Sequence, residues 1–256
     1  MNLVKRLPIG LGFACLMMMS SCSKEDVQTP EPTGSVSASS NMRKENGIFS
    51  FIYLDPTYGP TGSTVFPNGW KRDLSTSNDI IQLPAGTSSL THLFGNPGAA
   101  WEKPLPSIPN APNANSIVTI SSHAKTNVLD FNATKNKRSS AITKVKNLKP
   151  GKTYQINFYV ASTINKIIKQ GCIPGYAKDL FVETYLSNGK KLSAHMMSLN
   201  AGATWFKQTI TFKAAETELT LKFSAFTDSD NTFSYAHIFV DHNSVEEIQQ
   251  EEPLDY

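Results

Sequence analysis

The side chains capable of chemistry in this chain are few and dispersed. Glutamates in its central part are Glu102, Glu183, Glu216 and Glu218. Cleaving a glycosidic bond takes two carboxylates facing each other across a cleft, and none of the four sits with a partner in a recognisable motif. Serine is abundant, yet no Gly-x-Ser-x-Gly run is present to expose a nucleophile on a sharp turn. Two of the three cysteines lie near the N-terminus, leaving Cys172. A lone thiol is a nucleophile or a small buried hydrophobe, and it excludes an internal disulfide. On a strand His237 and Asp241 share a face, four residues apart, whereas His242 points the other way. Asp73-x-Ser75-x-Ser77-x-Asp79 alternates oxygen side chains like the start of a calcium loop. It lacks the glycine and terminal glutamate of an EF-hand, so it reads as a polar turn. No catalytic residue is assigned, and the chain is expected not to be an enzyme.

Binding chemistry is better represented. A pyranose offers partly positive C–H bonds to the negative face of an aromatic ring, and a few polar groups then fix its hydroxyls. Loops on a rigid scaffold are the usual place for both. Residues 55–62 present Tyr58, residues 95–103 present Trp101, and residues 175–179 present Tyr176 and Asp179. These four are the candidate carbohydrate-binding residues. The stretch beyond Trp101 contains Pro104, Pro106, Pro109 and Pro112, too many for a central strand.

The elements that must position these loops look like strands. Candidates are residues 48–54, 79–83, 116–121, 128–132, 139–145, 153–162, 180–186, 193–197, 206–212, 218–226 and 236–245. Tyr154, Ile156, Phe158 and Val160 share one face, with Gln155, Asn157 and Tyr159 on the other. Leu219, Leu221, Phe223 and Ala225 oppose Thr220, Lys222 and Ser224 in the same way. Period-two alternation marks strands with one buried face, and turn signals recur at 147–151, 187–190 and 228–231. The reading is an all-β fold, an antiparallel β-sandwich of the jelly-roll kind. A hydrophobic content of 39% is enough for a packed core. The formal net charge is only +3, with basic residues scattered, so a nucleic-acid partner is not expected.

Several of these pieces resemble a known family. Leu148-Lys149-Pro150-Gly151-Lys152-Thr153-Tyr154 followed by Phe158 resembles the "L-x-P-G-x-x-Y-x-x-x-F" turn and strand of galactose-binding-like jelly rolls, which include many carbohydrate-binding modules. Asn46-Gly47-Ile48-Phe49 resembles the opening "N-G-x-F", and Pro67-Asn68-Gly69-Trp70 the "P-x-G-W" after it. Trp205 with Thr209-Ile210-Thr211-Phe212, and Phe239-Val240-Asp241 with Ser244-Val245, resemble the later strands. The resemblance spans residues 46–247 and implies one domain, with Trp70 and Trp205 as packing residues. It also implies a structural calcium ion in many relatives. Here Ser50 replaces a usual glutamate, which leaves Asp241 as the candidate ligand. The clustered carboxylates of jelly-roll hydrolases and lyases have no counterpart.

The N-terminus reads as an address. Lys5 and Arg6 precede a short apolar run from 7 to 19, too short to span a bilayer and typical of a secretory signal over residues 1–21. Met19-Ser20-Ser21-Cys22 resembles the bacterial lipobox, so Cys22 is the expected lipidation site, carrying palmitate-type acyl chains. Ser23-Lys24-Glu25-Asp26 resembles the export signal of Bacteroidota surface lipoproteins. Residues 22–45, rich in Pro, Ser and Thr, are expected to be a disordered tether reaching about 25 Å as a coil. Residues 248–256 are expected to be a frayed acidic tail. The combined expectation is a lipoprotein of the outer membrane, facing the cell exterior and binding a glycan without catalysis. The alternatives are a structural or adhesive surface protein with an outer-membrane protein partner, and a polysaccharide lyase or glycosidase.

Overall fold

The computed structural model describes residues 42–45, 48–124, 136–167, 171–199 and 202–249. The signal segment, Cys22, most of the tether, the candidate strand at 128–132 and the last residues of the tail lie outside them. Strands dominate, and no α-helix occurs among the described residues. In chain order they are β1 (Met42–Glu45), β2 (Ile48–Phe51), β3 (Tyr53–Leu54), β4 (Gly62–Ser63), β5 (Lys71–Asp73) and β6 (Gly86–Ser89). Then come β7 (Ser116–Ala124), β8 (Asn136–Arg138), β9 (Ser140–Lys146), β10 (Thr153–Thr163), β11 (Ile173–Tyr176) and β12 (Asp179–Tyr185). The series closes with β13 (Lys191–Ser198), β14 (Phe206–Lys213), β15 (Leu219–Phe226), β16 (Thr232–Phe239) and β17 (Val245–Ile248).

Two sheets form a sandwich. One runs β13-β12-β15-β9-β3, with β5 also on β9. The other runs β14-β10-β16-β7-β6-β4, with β17 on β10, β8 on β7 and β11 on β16. Every pairing within them is antiparallel except β11 with β16. The alternation in the sequence decides which faces meet. Tyr154, Ile156, Phe158 and Val160 of β10 pack toward Leu219, Leu221, Phe223 and Ala225 of β15. Phe223 touches the rings of Trp70 (5.5 Å) and Phe158 (5.6 Å) at the centre.

Local chemistry explains the turns. Gly151 adopts φ +86°, open to glycine at little cost. Its N–H reaches Ala214 O at 2.7 Å, and Lys149 N–H donates to the Tyr154 hydroxyl at 2.9 Å, locking the Pro-Gly turn onto the strand it feeds. Gly69 (φ +75°) is required twice, because a Cβ there would fall 1.9 Å from the Asp55 carboxylate. The indole N–H of Trp70 bonds Asp55 O at 2.8 Å.

Four expectations about elements need correction. Residues 79–83 are not a strand; Asp79 makes an isolated bridge to Arg138, and Ile80 and Leu83 pack in the cluster of Trp101, Phe233 and Tyr235. The predicted strand 236–245 is two, β16 and β17, separated by a turn in which Ser244 N bonds Asp241 O. Ile248, assigned to the tail, is therefore in a strand on β10. Met42–Glu45, assigned to the tether, pairs with β2.

The outer faces of both sheets are partly covered, which the alternation did not reveal. Lys222, on a face read as exposed, is 1% exposed. Its ammonium lies 2.6 Å from Asp73 Oδ2 and 2.7 Å from Asp79 Oδ2. Arg138 Nε is 3.2 Å from Asp79 Oδ1. On the nine-stranded sheet, the outward side chains of β16 are covered by two further apolar clusters built around Trp101 and Trp205.

Candidate functional site

The four candidate binding residues do not converge. Trp101 is 1% exposed. Its N–H bonds Ser89 O at 3.1 Å, and its ring stands edge-on to Tyr235 (5.6 Å) and His237 (4.9 Å). A tryptophan buries roughly 200 Å², which at about 25 cal/mol/Å² favours this docking by about 5 kcal/mol before ordering costs. That gain holds the loop on the sheet, so Trp101 is a packing residue and offers no face to a ligand. Asp179 is also buried, at the start of β12, and accepts the Ser198 hydroxyl at 3.1 Å. Tyr176 is half-buried at the end of β11, in register with Tyr235. Tyr58 lines a sizeable concavity.

That concavity is a groove on the outer face of the nine-stranded sheet. It consists of two cavities, of about 300 Å³ and about 460 Å³, that share Asn110, Ala111 and Asp241. Its floor comes from the outward side chains Asn157 and Tyr159 of β10, with Lys207 of β14. One wall is the Pro-rich loop, which carries Asn110 and Asn113. The other is the turn after β16, with Asp241, His242 and Asn243, followed by Glu246 of β17. The volumes fall in the range of small-molecule sites.

Each wall is held by identifiable bonds. Two tight turns shape the Pro-rich loop, from Ala111 N to Ile108 O (3.1 Å) and from Ala114 N to Ala111 O (3.0 Å). Asn110 sits at φ +63° and donates its amide to the Tyr159 hydroxyl at 3.1 Å. The Tyr58 loop is pinned where Thr57 N reaches Val240 O at 3.0 Å and Gly59 N reaches Ser116 Oγ at 3.2 Å. Tyr58 then donates to Asp241 Oδ1 at 3.0 Å, stands edge-on to Phe239 and stacks on the exposed His242 at 5.5 Å. Burial, reinforced by the Asp241 carboxylate, pushes the Tyr58 hydroxyl up to about 12, so it remains a donor at neutral pH. Asp241 Oδ1 also accepts the His242 backbone N–H at 2.7 Å. The result is a pre-formed surface of phenol and imidazole rings, carboxamides and a fixed carboxylate.

Among the described residues, the cysteine, the histidines and the acidic turn singled out in the sequence are placed as follows. Cys172 Sγ is 3.6 Å from His123 Nε2, and Asn231 Oδ1 is 3.2 Å from the same nitrogen. A nucleophile relay needs its partners on opposite nitrogens of the ring. His237 does not face Asp241; it lies under Trp101 between the hydroxyls of Thr119 (3.0 Å) and Thr163 (2.6 Å). Burial pushes its pKa down to about 3, leaving it neutral. In the Asp73–Asp79 turn the ammonium of Lys222 takes the place a cation would occupy. Among the described residues no group of three His, Cys, Asp or Glu, with or without Asp241, is placed to hold a metal.

Asn110, Asn157, Tyr159, Lys207, His242 and Glu246 were not foreseen in the site. One signal was available: Tyr159 is an aromatic on the face of β10 that carries Gln155 and Asn157.

No protein-family model matches the chain, and no curated protein does. Solved structures with some likeness include a carbohydrate-binding module, TmCBM61, in complex with β-1,4-galactotriose (TM-score 0.37, 10% identity, covering 75% of this chain and 95% of that one). A xylan-binding domain, CBM22-1, from Paenibacillus barcinonensis gives 0.36 at 12% identity, covering 79% and 100%. The enzymatically active domain of tailspike protein 4 from bacteriophage CBA120 gives 0.41 at 11% identity, covering 71% of this chain and 20% of that one. This chain thus spans a fifth of the tailspike domain's length. Similarity this distant assigns neither ligand nor activity.

Proposed function

We propose that this protein is a non-catalytic glycan-binding lipoprotein, tethered through Cys22 to the outer membrane and facing the cell exterior. The observation that carries the binding half is the groove of Tyr58, Tyr159 and His242 with its carboxamides. Rings that meet C–H faces stand beside donors and acceptors that meet hydroxyls, in a volume suited to a short run of sugars. The address rests on the lipobox-like Met19–Cys22 and the residues after it.

The test of binding is affinity electrophoresis of the mature protein through gels holding single polysaccharides. Retardation by at least one of them is expected. Tyr159→Ala and Asn110→Ala should each weaken it about tenfold, or about 1.4 kcal/mol. No retardation across a broad panel would sink the proposal. For the address, metabolic palmitate labelling should mark the wild type and not Cys22→Ala, and protease added to intact cells should remove the domain.

An adhesive role with a protein partner is a second reading, favoured by β13. This strand lies at the edge of its sheet and exposes Leu192 (42%) and Met196 (64%). Capture of an outer-membrane protein that is lost on Met196→Lys would favour it.

A further inference from the structure

Charge is unevenly placed in the groove. In the smaller cavity the exposed Lys207 is offset by Glu246. In the larger cavity no lysine or arginine is among the described lining residues, and Asp241 is its carboxylate. Asp241 belongs to both cavities, so a ligand occupying both must pass it.

The carboxylate is fixed and half used. Oδ1 takes the Tyr58 hydroxyl at 3.0 Å and the His242 N–H at 2.7 Å. Oδ2 has no hydrogen-bond donor among the described residues. An ionised carboxylate only accepts. The unused oxygen therefore asks the ligand for a hydroxyl or N–H, and repels a second anion.

We infer that Asp241 is the specificity-determining residue of the groove: it selects neutral, hydroxyl-rich glycan chains that reach both cavities, and rejects uronate- or sulfate-bearing ones. This rests on the glycan-binding reading and narrows its ligand class. Two unit charges held at about 5 Å near a surface repel enough to change affinity about tenfold or more, and the effect fades with salt.

The experiment is a glycan array probed with the mature wild-type protein and with Asp241→Asn, at low and at 0.5 M salt. The array holds neutral galactan, xylan and mannan together with backbone-matched pairs. These are hydroxyethylcellulose with carboxymethylcellulose, and methyl-esterified with de-esterified polygalacturonan. Asparagine keeps a carbonyl for both Tyr58 and His242, so the groove retains its shape. The wild type should bind at least one neutral glycan, and no acidic glycan within tenfold of it. Asp241→Asn should gain at least tenfold on acidic glycans, most at low salt. Wild-type protein binding acidic glycans as tightly as neutral ones would overturn the inference, whatever the variant does. An unchanged neutral-to-acidic ratio in Asp241→Asn would also overturn it. An array silent to the wild type would remove the glycan-binding reading and this inference together, whereas binding without charge discrimination removes this inference alone.

Discussion

The hydroxyl of Tyr58 donates to Asp241 Oδ1 across 3.0 Å, joining two residues 183 positions apart in the chain. The loop before β4 is thereby tied to the turn between β16 and β17, and one wall of the groove is set before any ligand arrives. Pre-organisation of this kind spares a binding event the cost of ordering its own site.

Tyr58→Phe removes that bond while keeping the ring. Net hydrogen-bond contributions of this kind are about 1 kcal/mol, and that loss is expected in urea denaturation. Glycan affinity should fall too, because the Asp241 carboxylate loses one of its two restraints. An unchanged affinity would mean that the His242 N–H alone positions it.

Trp101→Ala separates packing from binding. Emptying a buried tryptophan site is expected to cost about 3–5 kcal/mol, seen as a lower urea midpoint. Glycan affinity per folded molecule should be unchanged, since Trp101 lies outside the groove. A lost affinity at full folding would return Trp101 to the binding surface.

Lys222→Met leaves Asp73 and Asp79 facing each other without their shared cation. Breaking a buried pair from one side typically costs about 3–5 kcal/mol, and loss on that scale is expected in the same measurement. Burial alone would raise the Asp73 carboxyl, but the hydrogen bonds from Lys222 and Ser75 outweigh it and hold it below its ordinary value. A depressed carboxylate stabilises the fold above its unfolded pKa, near 4, and that contribution fades as pH falls through the folded one. Wild-type stability should therefore show an acid-limb loss below about pH 4 that is smaller in Lys222→Met.

His237 gives a second and separable pH dependence. Burial depresses it to about 3, against 6.5 for a free imidazole. Between those values the unfolded chain binds the proton and the folded chain does not, so stability falls as pH drops from about 6.5 toward about 3. Thermal melts from pH 7 to pH 4 should show a steady decline in the wild type. In His237→Gln, which can still meet Thr119 and Thr163, the decline should be nearly absent above pH 5. A wild-type melting temperature flat from pH 7 to pH 5 would contradict this placement of His237.

The sandwich was legible in the sequence because its cause is local. A strand with one buried face alternates with period two, and β10 and β15 do so without interruption over their core faces. The motif of Leu148 to Tyr154 likewise records a turn whose bonds close within a few residues. The outer surfaces were not legible, because the same alternation makes Lys222 look solvent-facing, and Tyr235 lies outside every candidate strand. Distant segments cover them: the Asp73–Asp79 turn supplies the counter-charges of Lys222, and the Trp101 loop covers Tyr235. Trp101 itself was misread for that reason, since a loop aromatic that docks on its own sheet and one that awaits a sugar have the same sequence signature. Tyr58 was named as a candidate from its loop alone, whereas its neighbours in the groove, Asp241, His242 and Asn110, come from two other segments whose approach only the fold creates.

The central claim is that a glycan occupies the groove between Asn110 and Asp241. Its most direct test is amide and side-chain chemical-shift mapping of the labelled protein, titrated with an oligosaccharide of whichever polysaccharide retards it. The predicted result is a contiguous set of shifts on Tyr58, Asn110, Tyr159, Asp241 and His242, with the signals of Trp101, Tyr176 and Asp179 unmoved. Shifts clustered around Tyr176, or on the outer face of β12 and β13, with the groove silent, would contradict the account.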